Sequence, residues 1–470
     1  MILSLSPWRH AVFAGLALAC LTDYPQAQTV QAPAAPAPLA PAAPAPAAPA
    51  PSAGQSSGFS NNPPLAPTLV DPRAASSAPQ AAPAVAAKPK PKPAPPRETA
   101  LSRDPRPSLQ PETFYTTAKA AERYRVIAES GGWPTVTAVA PGASGRAVAV
   151  LRQRLAIEGD LAAGQDTDEQ WDAALTAAVK SYQSRLGLRQ SGIVGGATLK
   201  ALNVPAAVRY RQLASSAERI AASPFAFGPK YVVVNIPSAS VEAVEDDRVV
   251  RRYVAVVGDV KNQSPEVTTR VVAVNLNPTW TVPTSIIKKE IIPKMRKDPG
   301  YLSRAKIRIL DSTGQEIDPT TIDWNTERAA GFTLRQDSGA HNALGSIRIN
   351  MPNSHAVYMH DTPTKHSFGS DYRFLSHGCV RVEGVYDLAA WLLDSSTNRV
   401  TKDMLIERQK SGERVDLRPP QPVPVVWIYM TGWASADGIV HFRDDVYGLD
   451  RVAYASANEL IPPTPVLMGR

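Results

Sequence analysis

Cysteine is nearly absent: the chain has two, Cys20 and Cys379. Cys20 falls in an N-terminal segment that reads as a targeting signal, so the folded part carries one thiol with no partner. That excludes a disulfide framework. No Cys-x-x-Cys pair occurs, and no two histidines stand in a His-x-x-x-His spacing on a helix, which argues against a zinc site even though His355, His360, His366, His377 and Cys379 crowd into a short stretch. Long hydrophobic runs are also missing. The apolar run 11–21 is shorter than the roughly 18–20 residues of a membrane-spanning helix. Basic residues are not interleaved with aromatics on a folded face, so nothing points to nucleic-acid recognition. The net charge of +8 sits partly in Lys88, Lys90, Lys92 and Arg97, a solvated run within a linker.

The run 11–21 follows Arg9 and His10 and gives way to small and polar residues around Pro25-Gln26-Ala27. This pattern predicts a secretory signal peptide over 1–27, cleaved near Ala27, and a periplasmic protein. Two alternatives keep a membrane attachment: lipidation at Cys20, after Leu16-Ala17-Leu18-Ala19, or an uncleaved N-terminal anchor. In an oxidising compartment an unpaired thiol is a liability unless it is buried or useful. Cys379 is therefore either an inert core residue or a functional one.

A chain of 470 residues exceeds what one hydrophobic core usually organises, about 250 residues. Residues 28–110 are dominated by Pro, Ala and Ser and read as a disordered tether. Helical spacing of Ala120, Tyr124, Ile127 and Ala128 predicts a helix over 116–130, and a further helix is expected over 210–222. These two lie in scaffold segments 111–140 and 206–228. Between them, 141–205 reads as a small bundle of three helices. Val148, Leu151 and Leu155 stripe the first, and Leu175, Val179, Tyr182 and Leu186 the second, before a third at 197–202. From 229 to 412 the character changes to β-branched runs at 231–236, 252–257, 270–275 and 346–350, bounded by Gly, Pro and Asn. The stretch 277–344 is too long for a bare loop. It predicts a capping insertion with its own helices, one starting near Thr284-Ser285 and disturbed at Pro293. Residues 413–470 are expected to pack on the β-rich domain as extra strands. The class is α+β and multidomain.

The chemistry concentrates in Tyr358-Met359-His360-Asp361 and Ser376-His377-Gly378-Cys379-Val380-Arg381. A thiol becomes a nucleophile when a base takes its proton, and imidazole, titrating near about 6.5, suits the task. His360 ends an apolar run that looks like a strand and would be held rigidly. His377 sits in the same turn as Cys379, where in-line proton transfer is harder. Gly378 permits a tight turn, so the amides of Gly378 and Cys379 can face a developing oxyanion. Asp361 either orients the imidazole or holds a turn. Trp280 and Tyr358 either line a substrate site or belong to the core, and His341, His355 and His366 read as loop residues.

Two resemblances join these segments. Leu151-Arg152-Gln153-Arg154-Leu155, Ala178-Val179-Lys180-Ser181-Tyr182-Gln183, Gly187-Leu188, Gly192-Ile193-Val194-Gly195, Thr198 and Leu202-Asn203 resemble the three-helix peptidoglycan-binding domain family. Ser191 stands where that family often has an acidic residue. His360, followed 19 residues later by the cysteine of Ser376-His377-Gly378-Cys379, resembles the YkuD-like L,D-transpeptidase catalytic domain. Gly131-Gly132-Trp133-Pro134, Asn277-Pro278-Thr279-Trp280 with Pro283, and Lys297-Asp298-Pro299-Gly300-Tyr301 resemble its larger subgroup with a peptidoglycan-binding unit and a capping insertion.

The resemblance implies Cys379 as nucleophile and His360 as base. It implies Ser376, His377 and Arg381 as pocket residues, with Arg381 holding a substrate carboxylate; Gly378 as an oxyanion residue and Tyr358 and Trp280 as substrate-binding residues rest on the reading of the residues above. No cofactor and no metal is implied. The reaction implied is attack on the diaminopimelate–D-alanine bond of a tetrapeptide stem, through a thioester, with transfer to an amine that cross-links third residues of neighbouring stems. Acylation by carbapenems follows from the same chemistry. The implied partners are peptidoglycan stems and glycan, and wall-attached outer-membrane proteins where the acceptor amine belongs to one. Hydrolysis of stems or cross-links with the same dyad, and a non-enzymatic wall anchor, are the alternatives.

Overall fold

A computed structural model describes residues 97–162 and 164–452. The signal peptide expected at 1–27, the lipidation alternative at Cys20 and the basic run Lys88 to Lys92 lie outside the described residues. The end of the expected tether does not. Residues 97–110 pack against the folded body: Thr99 N–H donates to Asp371 at 2.8 Å, Ser108 N–H to Glu242 at 2.8 Å, and Leu109 is buried. The tether boundary at 110 is therefore too late. Composition hid this, because Pro105 and Pro107 continue the proline-rich pattern while Leu101 and Leu109 supply the contacts.

Five helices come first: α1 (Thr113–Glu129), α2 (Arg146–Glu158), α3 (Ala173–Arg185), α4 (Gly196–Leu202) and α5 (Ala206–Ala222). Asp172 caps α3 by accepting from Leu175 N–H at 2.7 Å, satisfying a donor the helix leaves open. The apolar stripes of α2 and α3 meet in one core with Tyr124 of α1 and Leu213 of α5. Burying each large side chain there contributes about 1.5–3 kcal/mol. A charged cluster is enclosed with them. Glu158 accepts from Tyr124 at 2.6 Å and pairs with Arg154 at 2.5 Å and Arg185 at 3.0 Å. Arg154 lies over the Trp133 ring at 3.7 Å, which gives Gly131-Gly132-Trp133-Pro134 its place at the end of α1.

The β-rich part opens with β1 (Lys230–Asn235), β2 (Ser240–Glu245), β3 (Arg248–Gly258), β4 (Val267–Val271) and β5 (Ala273–Leu276). Along β1, Val232 and Val234 face one core while Tyr231 and Val233 face another. Burial on both faces explains the unbroken apolar run. The single strand read over 270–275 is two strands. β4 lies at one end of the sheet and β5 next to last at the other, with only Val272 between them. The sheet must curl for one chain segment to serve both ends, and β-branched residues on either side of the bend conceal it from a local pattern.

The insertion contains a sheet as well as helices. Its elements are β6 (Trp280–Thr281), α6 (Thr284–Ile286), a π-helical turn (Ile287–Ile291), α7 (Ile292–Lys297), α8 (Tyr301–Arg304), β7 (Ile307–Leu310), β8 (Glu316–Ile317) and β9 (Thr333–Gln336), with strand order β6-β9-β7-β8. Pro293 has no N–H to give the carbonyl four residues back, and the π turn precedes it. Ile287, Ile291, Ile292, Leu302 and Leu334 form this subdomain's own core.

The chain then returns to the large sheet with β10 (Ile347–Asn350), β11 (Met359–His360), β12 (Phe374–Ser376) and β13 (Val380–Val382), followed by α9 (Val385–Leu393), α10 (Lys402–Lys410), β14 (Val415–Leu417) and β15 (Val423–Ile428). The order is β14-β5-β10-β11-β13-β3-β2-β1-β15-β4, with β12 added beside β3. β15 is thus an interior strand, not an appended one. The final hairpin, β16 (Gly432–Ala434) and β17 (Val440–Phe442), puts Ala434, Val440 and Phe442 into the core of the helical unit. The C-terminal stretch binds the two parts together, where the sequence suggested packing on the β-rich domain alone.

Candidate active site

β12 runs parallel to β3 and β13 antiparallel to it, so the turn 377–379 between them is pinned at both ends. Gly378 has φ +109°, and a Cβ there would meet the Gln263 carbonyl at 3.4 Å. A side chain is disfavoured on conformational grounds before space is considered. Ser376 Oγ donates to the Cys379 carbonyl at 2.5 Å and accepts from Gly378 N–H at 3.2 Å. Gly378 N–H is therefore engaged inside the turn, and not directed at an oxyanion as the sequence suggested. Behind the turn, Ser264 Oγ donates to the Gly378 carbonyl at 2.7 Å and accepts from Gly258 N–H at 2.9 Å. Tyr447 Oη donates to the Gly258 carbonyl at 2.6 Å. No local signal marks Ser264 or Tyr447, because only the fold brings them here.

β11 pairs in parallel with β13, Met359 opposite Val380 and His360 opposite Arg381. Val380 N–H donates to the Tyr358 carbonyl at 3.1 Å. Alternation along paired strands sets Tyr358, His360, Cys379 and Arg381 on one face. The rings of Tyr358 and His360 meet edge-on at 5.7 Å. Burial pushes the Cys379 thiol up to about 11, against the opposing pull of a Tyr358 backbone hydrogen bond and the Arg381 charge. Burial, then the Arg381 charge, push the His360 imidazole down to about 4. Both shifts favour the uncharged forms, a thiol and a neutral imidazole on one face of the sheet. Nδ1 of His360 is buried with no hydrogen-bond partner, a costly state that an incoming proton donor would relieve.

The other sequence-selected residues divide. Arg381 is half-buried and makes no side-chain hydrogen bond or ion pair among the described residues, so its guanidinium is unspent. Tyr358 is pushed above the usual phenol range by burial first and by Cys379 second, with a hydrogen-bond interaction from Trp280 opposing. Trp280, at the start of β6, thus brings the capping subdomain to the site. His377 contacts the capping subdomain: its Nε2 lies 2.7 Å from Glu290 Oε1 of the π turn, an acidic partner the sequence did not flag. Asp361 is committed to Ser346, whose N–H and Oγ donate at 3.1 and 2.8 Å, and to Lys365. It holds a turn and is not spare for orienting the imidazole. His341, His355 and His366 are exposed. Among the described residues no three His, Cys, Asp or Glu side chains are grouped to hold a metal. A cavity of about 340 Å³ lies elsewhere, between the 97–108 segment, the helical unit and the hairpin, and includes neither Cys379 nor His360.

Residues 229–415 match the family model described as the L,D-transpeptidase catalytic domain, YkuD. Over that stretch the chain is similar to the YkuD-type L,D-transpeptidase catalytic domain. Residues 144–202, spanning α2 to α4, match the model described as "Putative peptidoglycan binding domain". A curated protein of Haemophilus influenzae, named "Putative L,D-transpeptidase", is 34% identical over 243 residues, covering 51% of this chain and 48% of that protein. The chain thus spans about half the length of this curated relative. Solved structures that match include an L,D-transpeptidase from Xylanimonas cellulosilytica, 19% identical over 63% of this chain and 98% of that one, with a TM-score of 0.21. Another, from Stackebrandtia nassauensis, is 14% identical over 63% and 97%, with a TM-score of 0.24. The L,D-transpeptidase match begins just before β1 and ends within β14, so β15 lies beyond it although that strand sits inside the sheet, between β1 and β4.

Proposed function

We propose that this chain is a periplasmic acyltransferase that cross-links peptidoglycan stems, with Cys379 as nucleophile and His360 as general base. The observation that carries the reading is the shared face of β11 and β13. There the described part's one thiol stands with a buried imidazole whose Nδ1 is unpartnered and with an unspent arginine. In the first step His360 takes the thiol proton as sulfur attacks the carbonyl of diaminopimelate in a tetrapeptide stem. The tetrahedral intermediate collapses to a thioester, and D-alanine leaves with the proton that His360 returns to its nitrogen. An amine of a neighbouring stem then attacks the thioester, and its proton passes to His360 as the thiol is restored. With Gly378 N–H engaged by Ser376, oxyanion stabilisation falls to the Cys379 amide. Arg381 holds a substrate carboxylate, Trp280 and Tyr358 wall the donor site, and the 144–202 unit holds the protein on the glycan–peptide polymer.

Incubating the purified protein with disaccharide-tetrapeptide and weighing the products tests this. A dimer that has lost one D-alanine, joined through third residues, is expected. A tripeptide monomer as sole product would make water the acceptor and the protein an L,D-carboxypeptidase.

A further inference from the structure

Across the large sheet, one row of paired residues leads away from the site. Arg381 of β13 faces His360 of β11, His360 faces Arg348 of β10, and Arg348 faces Asn275 of β5. Adjacent strands are about 4.8 Å apart, so Arg348 lies roughly one strand from His360 and two from Arg381, on the same face. Its Nε donates to Asn275 Oδ1 at 2.8 Å, and its guanidinium lies 5.6 Å from the centre of the Tyr358 ring. Around it is a cavity of about 220 Å³ whose walls include Arg335 of β9, Arg414 of the α10–β14 loop, Asn275, Thr279 and Thr281.

Three guanidinium groups thus converge from the capping subdomain, the sheet and a distant loop. None of Arg335, Arg348 and Arg414 makes an ion pair among the described residues. The nearby carboxylate, Asp416, is hydrogen-bonded to Asn275 Nδ2 at 2.6 Å and not to an arginine. Gathering like charges without a counter-charge opposes folding, and guanidinium forks match a carboxylate in geometry and charge.

We propose that this cavity is a second anion subsite, which binds a carboxylate of the acyl-donor stem peptide apart from any carboxylate at Arg381. The proposal rests on the reading of Cys379 as acyl acceptor for a peptide stem. It gives the capping subdomain, through Arg335, a direct part in gripping the donor.

The test uses Arg335→Gln with Arg414→Gln and leaves Arg348 intact, because Arg348 also braces Asn275 and Tyr358. Equilibrium binding of stem tetrapeptide is measured on the Cys379→Ala protein with and without the two arginine changes. Losing charge-assisted bonds should weaken binding about tenfold or more. A tetrapeptide with the relevant carboxylate amidated should bind the unaltered pocket as weakly, and lose nothing further with the arginine changes. In the Cys379 protein the same changes should leave acylation by a carbapenem within about twofold. Equal tetrapeptide binding with and without the arginines overturns the proposal. So does an equal loss of carbapenem acylation, which makes the arginines structural, or a loss confined to transfer onto the acceptor. If Cys379 is not acylated at all while binding still depends on the arginines, the subsite stands and the catalytic reading falls.

Discussion

In its proposed role as base, His360 would act as the neutral ring, because burial and Arg381 hold its imidazole down to about 4, while burial holds the Cys379 thiol up to about 11. The sign of the pH dependence follows. The base is competent above about pH 4 and lost as it protonates below, and the thiol stays neutral until about pH 11. Carbapenem acylation of the wild type should therefore be flat from about pH 5 to 10. In His360→Ala only free thiolate can react, so the rate should climb about tenfold per pH unit over that range. A His360→Ala profile as flat as the wild type would move the base elsewhere. His377 is the obvious rival, but its Nε2 is in contact with Glu290. His377→Ala and Glu290→Gln should both keep carbapenem acylation and both impair turnover of the stem peptide, because each unties the nucleophile turn from the capping subdomain. Loss of carbapenem acylation in His377→Ala alone would assign it the proton.

At the scale of elements, the buried Glu158 cluster joins α1, α2 and α3. Removing one member of a buried, hydrogen-bonded charge set leaves its arginines uncompensated and costs about 3–5 kcal/mol. Glu158→Ala should lower the melting temperature sharply while the folded fraction keeps its reaction with a carbapenem. A melt within a degree or so of wild type would mean that the cluster is not holding these helices. Neither this cluster nor the arginine pocket was legible in the sequence. Helical stripes and β-branched runs repeat locally, so α1 to α5 and the main strands could be read from neighbouring residues. The His360 and Cys379 pair could be read because both lie in one stretch with a characteristic turn. Arg335, Arg348 and Arg414, like Ser264 and Tyr447 behind the turn, meet only through the sheet's topology. The strands of the capping subdomain, two to four residues each, are too short to show an alternation. The β4–β5 bend at Val272 falls inside a run that looks uniform.

At the scale of the molecule, the parts are less separable than a string of modules. The peptidoglycan-binding unit shares its core with α1, α5 and the β16–β17 hairpin, and residues 97–110 lie across both halves. Deleting 141–205 should therefore weaken retention on purified sacculi and also lower the melting temperature, because Tyr124, Leu213 and Phe442 lose their cover. Unchanged sacculus retention in protein that remains folded would deny the unit a wall-binding role. The claim on which the rest depends is covalent chemistry at one sulfur. Intact-protein mass spectrometry of the wild type and of Cys379→Ala, each incubated with a carbapenem, reads it directly. A single stoichiometric adduct on the wild type and none on the folded variant is expected. An adduct that persists in Cys379→Ala would contradict it.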